Sequence, residues 1–390
     1  MNAGDSFKKI FIGLILFSMV IPANNSSATE LTAHSKESIA IKSEVIPKEI
    51  VNGNTTYYMN GQGVITLAKV YSGSKVSKIL NFYPNSNLGD AQKNIKYIFY
   101  LTSDGSIGRA EQLDKRTQKV TNQYEYYPKT FYGKHGDMIK YIFDVNSSGY
   151  LTKAVKREKG TKRIISRYEY FPKTVYGPHG KNIKYIFTIN TSGYVTKATQ
   201  RNNGTMDMIS TYEFYPKTVY GKQFSRVSGI KLNVPLINQR PELPTGCEIT
   251  AVTMMLQYKG VRVDKVTLAN KMPKHPNNPN LGYVGNPFTK RGWTIYPSAL
   301  TGLVKNYAGS AKNLTGTSNV NIKKQLVSNK SIVVWVSRMH GFSVHALVLT
   351  GFDQNYYYYN DCWTGEKNAK ISKKEFNRLW GNQSKRAISY

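Results

Sequence analysis

The sequence predicts an α+β chain of two unlike parts, an all-β repeat array followed by a mixed helix-and-strand domain. Three observations predict it. Pro84, Pro128, Pro172 and Pro216 recur every 44 residues, each behind an aromatic pair: Phe82-Tyr83, Tyr126-Tyr127, Tyr170-Phe171 and Phe214-Tyr215. Self-similarity at such a spacing marks stacked repeats. The period stops near Ser228, and apolar residues then fall at helical spacing, first at Ile249, Val252, Met255 and Leu256. Later runs such as SIVVWVS (331–337) and HALVLTG (345–351) have the length and β-branched content of buried strands.

Taken in order, Lys8 and Lys9 precede the apolar run Ile10 to Ile21, which is too short to span a bilayer. With Ser26-Ser27-Ala28 as a small-residue cleavage site, residues 1–28 read as a secretory signal peptide. Residues 29–50 read as a polar, flexible leader. The expected protein is therefore secreted, without a transmembrane anchor after cleavage, and associated with the wall of a Gram-positive-like bacterium.

Residues 51–226 carry the repeats. Tyr97, Tyr141 and Tyr185 sit inside successive KYIF segments, and Gly105, Gly149 and Gly193 keep the same interval. Asn60-Gly61 stands in that register in a partial first copy. Each copy reads as a three-stranded meander. IKYIFTINTSGYVTKATQ turns at Gly193, a second turn follows at Asn202-Asn203-Gly204, and ISTYEFYP ends at a proline that blocks further pairing. One such unit buries too little apolar surface to stand alone, so neighbours stack. His135 and His179 recur before glycine in the connecting segments and lack metal-site spacing, which makes them linker residues.

Lys+Arg 54 against Asp+Glu 23 gives a formal net charge of +31. A cation of that size seeks anionic surfaces. Aromatics interleaved with Lys and Arg in the repeats suit an anionic cell-wall polymer or glycan, held by stacking and cation–π contacts. The same tyrosines equally suit ordinary strand chemistry. No motif for specific nucleic-acid recognition is present. Two cysteines exclude a disulfide framework, and a Cys247–Cys362 bridge would disable the site described next.

Residues 229–390 form the second part. A strand over Ile230–Pro235 leads to a helix from Cys247 to Lys259, stopped by Gly260. Helices are expected over Val266–Met272, Pro297–Tyr307 and Ile322–Ser328. The loop from Pro273 to Gly292 is long for a compact domain, a sign of function. SIVVWVS and the run entering at His345 are strands, Asp353 to Asn355 turns the chain, and Tyr356–Asn360 returns to Asp361.

Cys247 stands at a helix start, where Thr245 and Glu248 have capping-box spacing. Free N–H groups and the dipole favour a thiolate there, which is what a cysteine nucleophile needs. The hairpin carries His345 and Asp361 to one end of the sheet. Asp361 can accept a proton from one imidazole nitrogen and leave the other to face the sulfur. His340 is a rival base, but apolar strand context and the spacing to Asp361 favour His345. Gln239, shortly before the cysteine, can donate an amide N–H to an oxyanion, as can the Cys247 backbone N–H. Gly246 and the loop Tyr283, Val284, Gly285, Asn286 and Pro287 are expected to line a substrate groove, glycine permitting close approach of an extended peptide. His275, in the long loop, is expected to be exposed. No metal or organic cofactor is implied.

VPLINQRPELPTGCEITAVTMML, GYVGNPFT, IVVWVS and HALVLTGFDQNYYYYNDCWTG closely resemble the secreted branch of cysteine peptidase family 39, the bacteriocin-leader-peptidase-like group with a papain-like fold. The resemblance covers roughly residues 230 to 390. It implies Gln239 as oxyanion donor, Cys247 as nucleophile, His345 as general base and acid, and Asp361 as its orienter. Cleavage after a Gly-Gly leader is not carried over, because the transmembrane and nucleotide-binding regions of the exporters are missing here. Where relatives show proline after the aspartate, this chain has Cys362, which strand alternation turns away from Asp361 as a buried neutral thiol. The expected function is a secreted cysteine peptidase that acts on peptides or proteins and is held at a surface by its repeats. The alternatives are a non-catalytic wall-binding protein or adhesin, and a wall amidase or acyltransferase using the same triad.

Overall fold

A computed structural model of the chain describes residues 48–390 apart from Lys134. The expected signal peptide and residues 29–47 of the expected leader lie outside the described residues. The first strand, β1 (Lys48–Asn52), starts three residues ahead of the expected repeat boundary. It opens a continuous antiparallel meander: β2 (Thr55–Met59), β3 (Ile65–Ser72), β4 (Lys75–Phe82), β5 (Ile95–Leu101), β6 (Ile107–Leu113), β7 (Val120–Tyr126), β8 (Ile139–Val145), β9 (Leu151–Arg157), β10 (Ile164–Thr174), β11 (Ile183–Ile189), β12 (Val195–Arg201), β13 (Met208–Phe214) and β14 (Val227–Leu232). Each strand pairs with the next.

The repeat is visible as a row of cross-strand partners. Phe99, Phe143 and Phe187 stand opposite Ala110, Ala154 and Ala198, which in turn stand opposite Tyr124, Tyr168 and Tyr212. A methyl group between two rings leaves room for both, and the three phenylalanines are buried. Copies are tied together by tyrosine hydroxyls. Tyr132 donates to Asn81, Tyr176 to Glu125 and Tyr220 to Glu169, each reaching 51 residues back. His135 and His179 do more than link: their rings stack on Tyr132 and Tyr176 and meet Phe99 and Phe143 edge-on. In the last copy Phe224 takes that place, among Tyr185, Phe187, Tyr212 and Phe214. Lys96, Lys140 and Lys184 each lie 5.5 Å from the ring of Tyr97, Tyr141 and Tyr185. Much of the aromatic and basic interleaving is thus spent on the array itself.

Two details depart from the sequence reading. The turn glycine of the partial copy, with positive φ like Gly105, is Gly63 and not Gly61, because the whole β3–β4 hairpin (65–82) is two residues shorter than the β6–β7 hairpin (107–126). In the second full copy β10 runs through Pro172 to Thr174, with its register broken after Glu169. The missing N–H falls where the ladder is already irregular.

The array enters the second part without a linker. β14 pairs with β13 on one side and, through Ile230 and Lys231, with Phe352 and Gly351 on the other. Gly351 permits this, since a Cβ there would run into the Ile230 carbonyl. Phe187, Val195, Tyr212 and Phe214 consequently share one apolar core with the helical part. The expected boundary between 226 and 229 falls on a strand that both parts use.

Beyond it come α1 (Cys247–Lys259), α2 (Lys265–Lys271), α3 (Pro297–Ala308), β15 (Lys312–Asn313), α4 (Asn319–Val327), β16 (Ile332–Val336), β17 (His345–Phe352), β18 (Tyr356–Asp361), β19 (Glu366–Ser372), α5 (Lys373–Gly381) and β20 (Ala387–Ser389). β17 is central, flanked by β16 and β14 along one edge and β18 along the other. α1 packs on β17 and β16, and its residues from Cys247 to Leu256 are all buried. The elements β15, β19, α5 and β20 are additions to the sequence reading. α5 is capped by Ser372, which accepts from the Glu375 N–H, and it buries Phe376, Leu379 and Trp380. No helix among the described residues is long and apolar enough to cross a membrane.

Candidate active site

Cys247 is the first residue of α1, behind Gly246 as N-cap. Gly246 packs so tightly that a Cβ would come within 2.8 Å of Leu243. The expected capping box does not form. Thr245 Oγ1 donates instead to the Thr289 carbonyl at 2.9 Å and lies 3.3 Å from that of Asn286. Glu248 turns into the protein, where its Oε1 accepts from Thr294 Oγ1. The loop before α3 takes Thr245 as a donor for its carbonyls and Glu248 as an acceptor for the Thr294 hydroxyl, and so draws both residues away from the helix end.

His345 opens β17 and Asp361 closes β18, both buried. His345 Nε2 lies 2.8 Å from Asp361 Oδ1, which also accepts the Trp363 N–H at 2.9 Å. The second carboxylate oxygen is taken by His340, whose Nε2 is 2.8 Å from Oδ2. Both candidate bases therefore share one carboxylate, but His345 is the one lining the cavity with Cys247. Its Nε2 is engaged, so Nδ1 is the nitrogen available for a proton from sulfur. Phe342 stacks on the imidazole at 5.6 Å between centroids. Burial works against the Asp361 charge, yet the hydrogen bond and charge of His345 outweigh it and hold the carboxyl at about 2.

Gln239, Cys247 and His345 line one cavity of about 230 Å³, walled by Thr245, Gly292, Trp293, Phe342 and Val344. Gln239 is buried. Its Nε2 gives one hydrogen to the Pro244 carbonyl at 3.0 Å and keeps the second; its Oε1 accepts from the Cys362 thiol at 3.2 Å. Both cysteines are free. Cys362 is buried as expected, but it lies in the turn just past β18 and not on the strand, and burial pushes its thiol well up. What the sequence reading missed is that it touches Gln239.

The thiolate expected at the helix start is reversed in this resting arrangement. Burial, followed by the neighbouring Glu248 and Cys362, pushes the Cys247 thiol well up, while the Ala346 N–H pulls the other way. Removing the sulfur from water outweighs the helix end. Among the described residues no hydrogen bond joins Cys247 Sγ to His345. Glu248, also wholly buried, has no partner for Oε2, and burial lifts its carboxyl to about 7.

The loop expected to line the groove stands behind the cavity instead. Tyr283 is buried, and its hydroxyl donates to the Thr245 carbonyl at 2.5 Å. Val284 pairs with Thr294 and Trp293 through its backbone, and a Cβ on Gly285 would strike the Arg291 carbonyl. Pro287 and Asn286 hold Thr245 through their carbonyls. Gly246 caps the helix and is likewise outside the lining. The segment supports the residues before Cys247, and its return arm, Gly292 and Trp293, makes the wall. Half-exposed Trp293 beside a glycine was the available sequence signal. His275 is half-buried, its Nδ1 accepting the Asn278 N–H at 2.9 Å, because the Pro-Asn-Asn turn folds back on it.

His340, His345 and Asp361 also have ligand atoms within 4.8 Å of one another, a donor set a divalent ion would accept; here they bond one another. A larger cleft of about 840 Å³ opens where the last repeat meets α4, lined by residues including Phe224, Val320, Lys323 and Lys373. Its lining has no cysteine or histidine, and it lies at the far end of β17 from His345.

A family model, the Peptidase_C39 like family, matches residues 231–388. An uncharacterized protein of Bacillus subtilis (strain 168), YvpB, is 32% identical over 40% of this chain and 74% of its own length. The crystal structure of a candidate C39-like peptidase from Bacillus anthracis is 32% identical, covers 40% of this chain and 94% of that one, and superposes with a TM-score of 0.39. A crystal structure of TarM, 17% identical over 28% of this chain and 19% of its own, has a TM-score of 0.22, too slight a likeness to carry an argument. With two free cysteines, a buried histidine–carboxylate pair and these matches together, the chain belongs to the Peptidase_C39 like family.

Proposed function

We propose that this protein is a papain-like cysteine peptidase that hydrolyses peptide bonds with Cys247, His345 and Asp361. The observation that carries the reading is the convergence of Gln239, Cys247 and His345 on one cavity, with Asp361 bonded behind His345. A peptide entering the cavity displaces water and brings its carbonyl carbon to Cys247 Sγ. The thiol proton passes to His345 Nδ1 as the C–S bond forms, and Asp361 stabilises the imidazolium. The carbonyl oxygen, now negative, is held by the free Gln239 N–H and the Cys247 backbone N–H. His345 returns its proton to the departing amine, leaving a thioester. It then takes a proton from water, which attacks the thioester; the C–S bond breaks, the acid leaves, and the proton returns from His345 to the Cys247 sulfur.

The buried thiol fits a nucleophile that ionises only when substrate arrives. The net charge of +31 and the lysine-bearing array support a second element of the proposal, that the repeats hold the enzyme at an anionic wall polymer outside the cell. The Lys8-Lys9 and Ile10–Ile21 pattern supports secretion. Mass-spectrometric detection of an acyl adduct on Cys247, formed with peptide thioesters or trapped from peptide substrates at low pH, tests the chemistry. An adduct elsewhere, or none on a protein that still cleaves, would refute it.

A further inference from the structure

Cys362 has no part in the chemistry above. It is fully buried, is not disulfide-bonded and does not line the cavity. Its Sγ lies 3.2 Å from Gln239 Oε1 and 3.6 Å from the Cys247 carbonyl oxygen. The two residues are joined a second time through the backbone, where the Gln239 N–H donates to the Cys362 carbonyl at 2.9 Å. On its other side Gln239 Nε2 donates to the Pro244 carbonyl at 3.0 Å. The carboxamide therefore meets a donor at its oxygen and an acceptor at its nitrogen, and one orientation alone satisfies both. Flipped, it would set Oε1 against the Pro244 carbonyl and point Nε2 at a sulfur, a weak acceptor. The flipped amide would also present oxygen to the cavity, where it would repel a developing oxyanion.

We infer that Cys362 is a positioning residue: its thiol hydrogen holds the Gln239 carboxamide in the one orientation that turns a free N–H toward the reacting carbonyl. The inference rests on reading Gln239 as the oxyanion donor. A thiol suits the task because burial keeps it protonated, so it remains a donor while Cys247 reacts.

The test compares Cys362→Ala, which removes the donor, with Cys362→Ser, which keeps one. Removing an oxyanion donor outright costs about 10²–10³ in kcat; loosening it by Cys362→Ala is expected to cost roughly 10-fold, with KM little changed. Cys362→Ser should recover most of that, and in a Gln239→Ala background Cys362→Ala should cost nothing further. Alkylation of Cys247 by iodoacetamide needs no oxyanion donor and should not slow, since Cys362 is among the neighbours that push the Cys247 thiol up. A readout independent of turnover is the side-chain amide proton pair of Gln239, assigned by its loss in Gln239→Ala. It should be one narrow pair in the wild type and doubled or exchange-broadened in Cys362→Ala. Wild-type kcat with an unchanged amide pair in Cys362→Ala would overturn the inference. So would a serine variant as impaired as the alanine one, or alkylation falling in step with kcat. A wild-type protein that cleaves no peptide would sink the peptidase reading alone, and the amide resonances would still decide the role of the thiol.

Discussion

Replacing Glu248 with glutamine should remove a pH-dependent destabilisation built into the site. Glu248 is wholly buried, one oxygen bonded to Thr294 and the other without a partner, and burial lifts its carboxyl from 4.5 to about 7. An acid that holds its proton more tightly folded than unfolded loses stability as pH rises from the unfolded value to the folded one. The window runs from about 4.5 to about 7, and at about 1.4 kcal/mol per pH unit it amounts to about 3 kcal/mol. Above pH 7 the loss is complete and constant. Glutamine copies the protonated acid: its oxygen keeps the Thr294 bond, and its amide takes the place of the unpartnered O–H. Glu248→Gln should therefore match the wild type near pH 4 and exceed it by about 3 kcal/mol at pH 8. Urea unfolding followed by the fluorescence of buried Trp335 and Trp380, repeated from pH 4 to pH 8.5, measures the difference. Parallel curves for the two proteins across that range would refute the reasoning and mean that the carboxylate is solvated or paired.

Other outcomes follow from the same geometry. Iodoacetamide should label Cys247 in the folded protein, faster as pH rises and faster in Glu248→Gln, because a negative neighbour is gone; Cys362 should react only on unfolding, and peptide mapping distinguishes them. His345→Ala should abolish turnover without unfolding the protein, whereas His340→Ala should leave substantial turnover, because Asp361 still orients His345; full activity in His345→Ala would make His340 the base. Asp361→Ala should lower kcat less than His345→Ala, since it orients the base and does not itself react. Ala154→Phe should destabilise by about 1–3 kcal/mol, because the methyl between Phe143 and Tyr168 has no room to grow; chemical denaturation would show it. The whole chain should cosediment with purified cell walls at low salt and be released as ionic strength rises, since exposed charges are screened over about 10 Å at 0.1 M; binding indifferent to salt would contradict an electrostatic anchor.

Local pattern was enough for α1, whose apolar residues and terminal Gly260 mark its length, and for the strands carrying His345 and Asp361 to one end of the sheet. It was also enough for the meander, because the 44-residue period repeats the Phe–Ala–Tyr row of cross-strand partners in each full copy. What stayed hidden depends on residues far apart in the chain. Thr245 and Glu248 have capping-box spacing, but Thr289 and Thr294, more than 40 residues on, compete for them and win. Cys362 reaches Gln239 across 123 residues. The loop at 283–287 has the glycines of a groove, yet Tyr283 goes inward to the Thr245 carbonyl. The sharing of β14 rests on Gly351, whose missing side chain meets its reason only in a neighbouring strand. The burial that reverses the expected thiolate is likewise a property of packing. By contrast α5 carried a local signal in Ser372 and Glu375, three residues apart, that the sequence reading did not use.

The central claim is that Cys247 attacks peptide carbonyls with His345 as its base. Incubating the whole protein with a diverse peptide library and sequencing the products by mass spectrometry tests it most directly, with Cys247→Ala as the matched control. The account predicts new termini at a consistent set of bonds with the wild type and none with Cys247→Ala. Equal cleavage by both proteins, or an intact library after exposure to folded wild type, would contradict it.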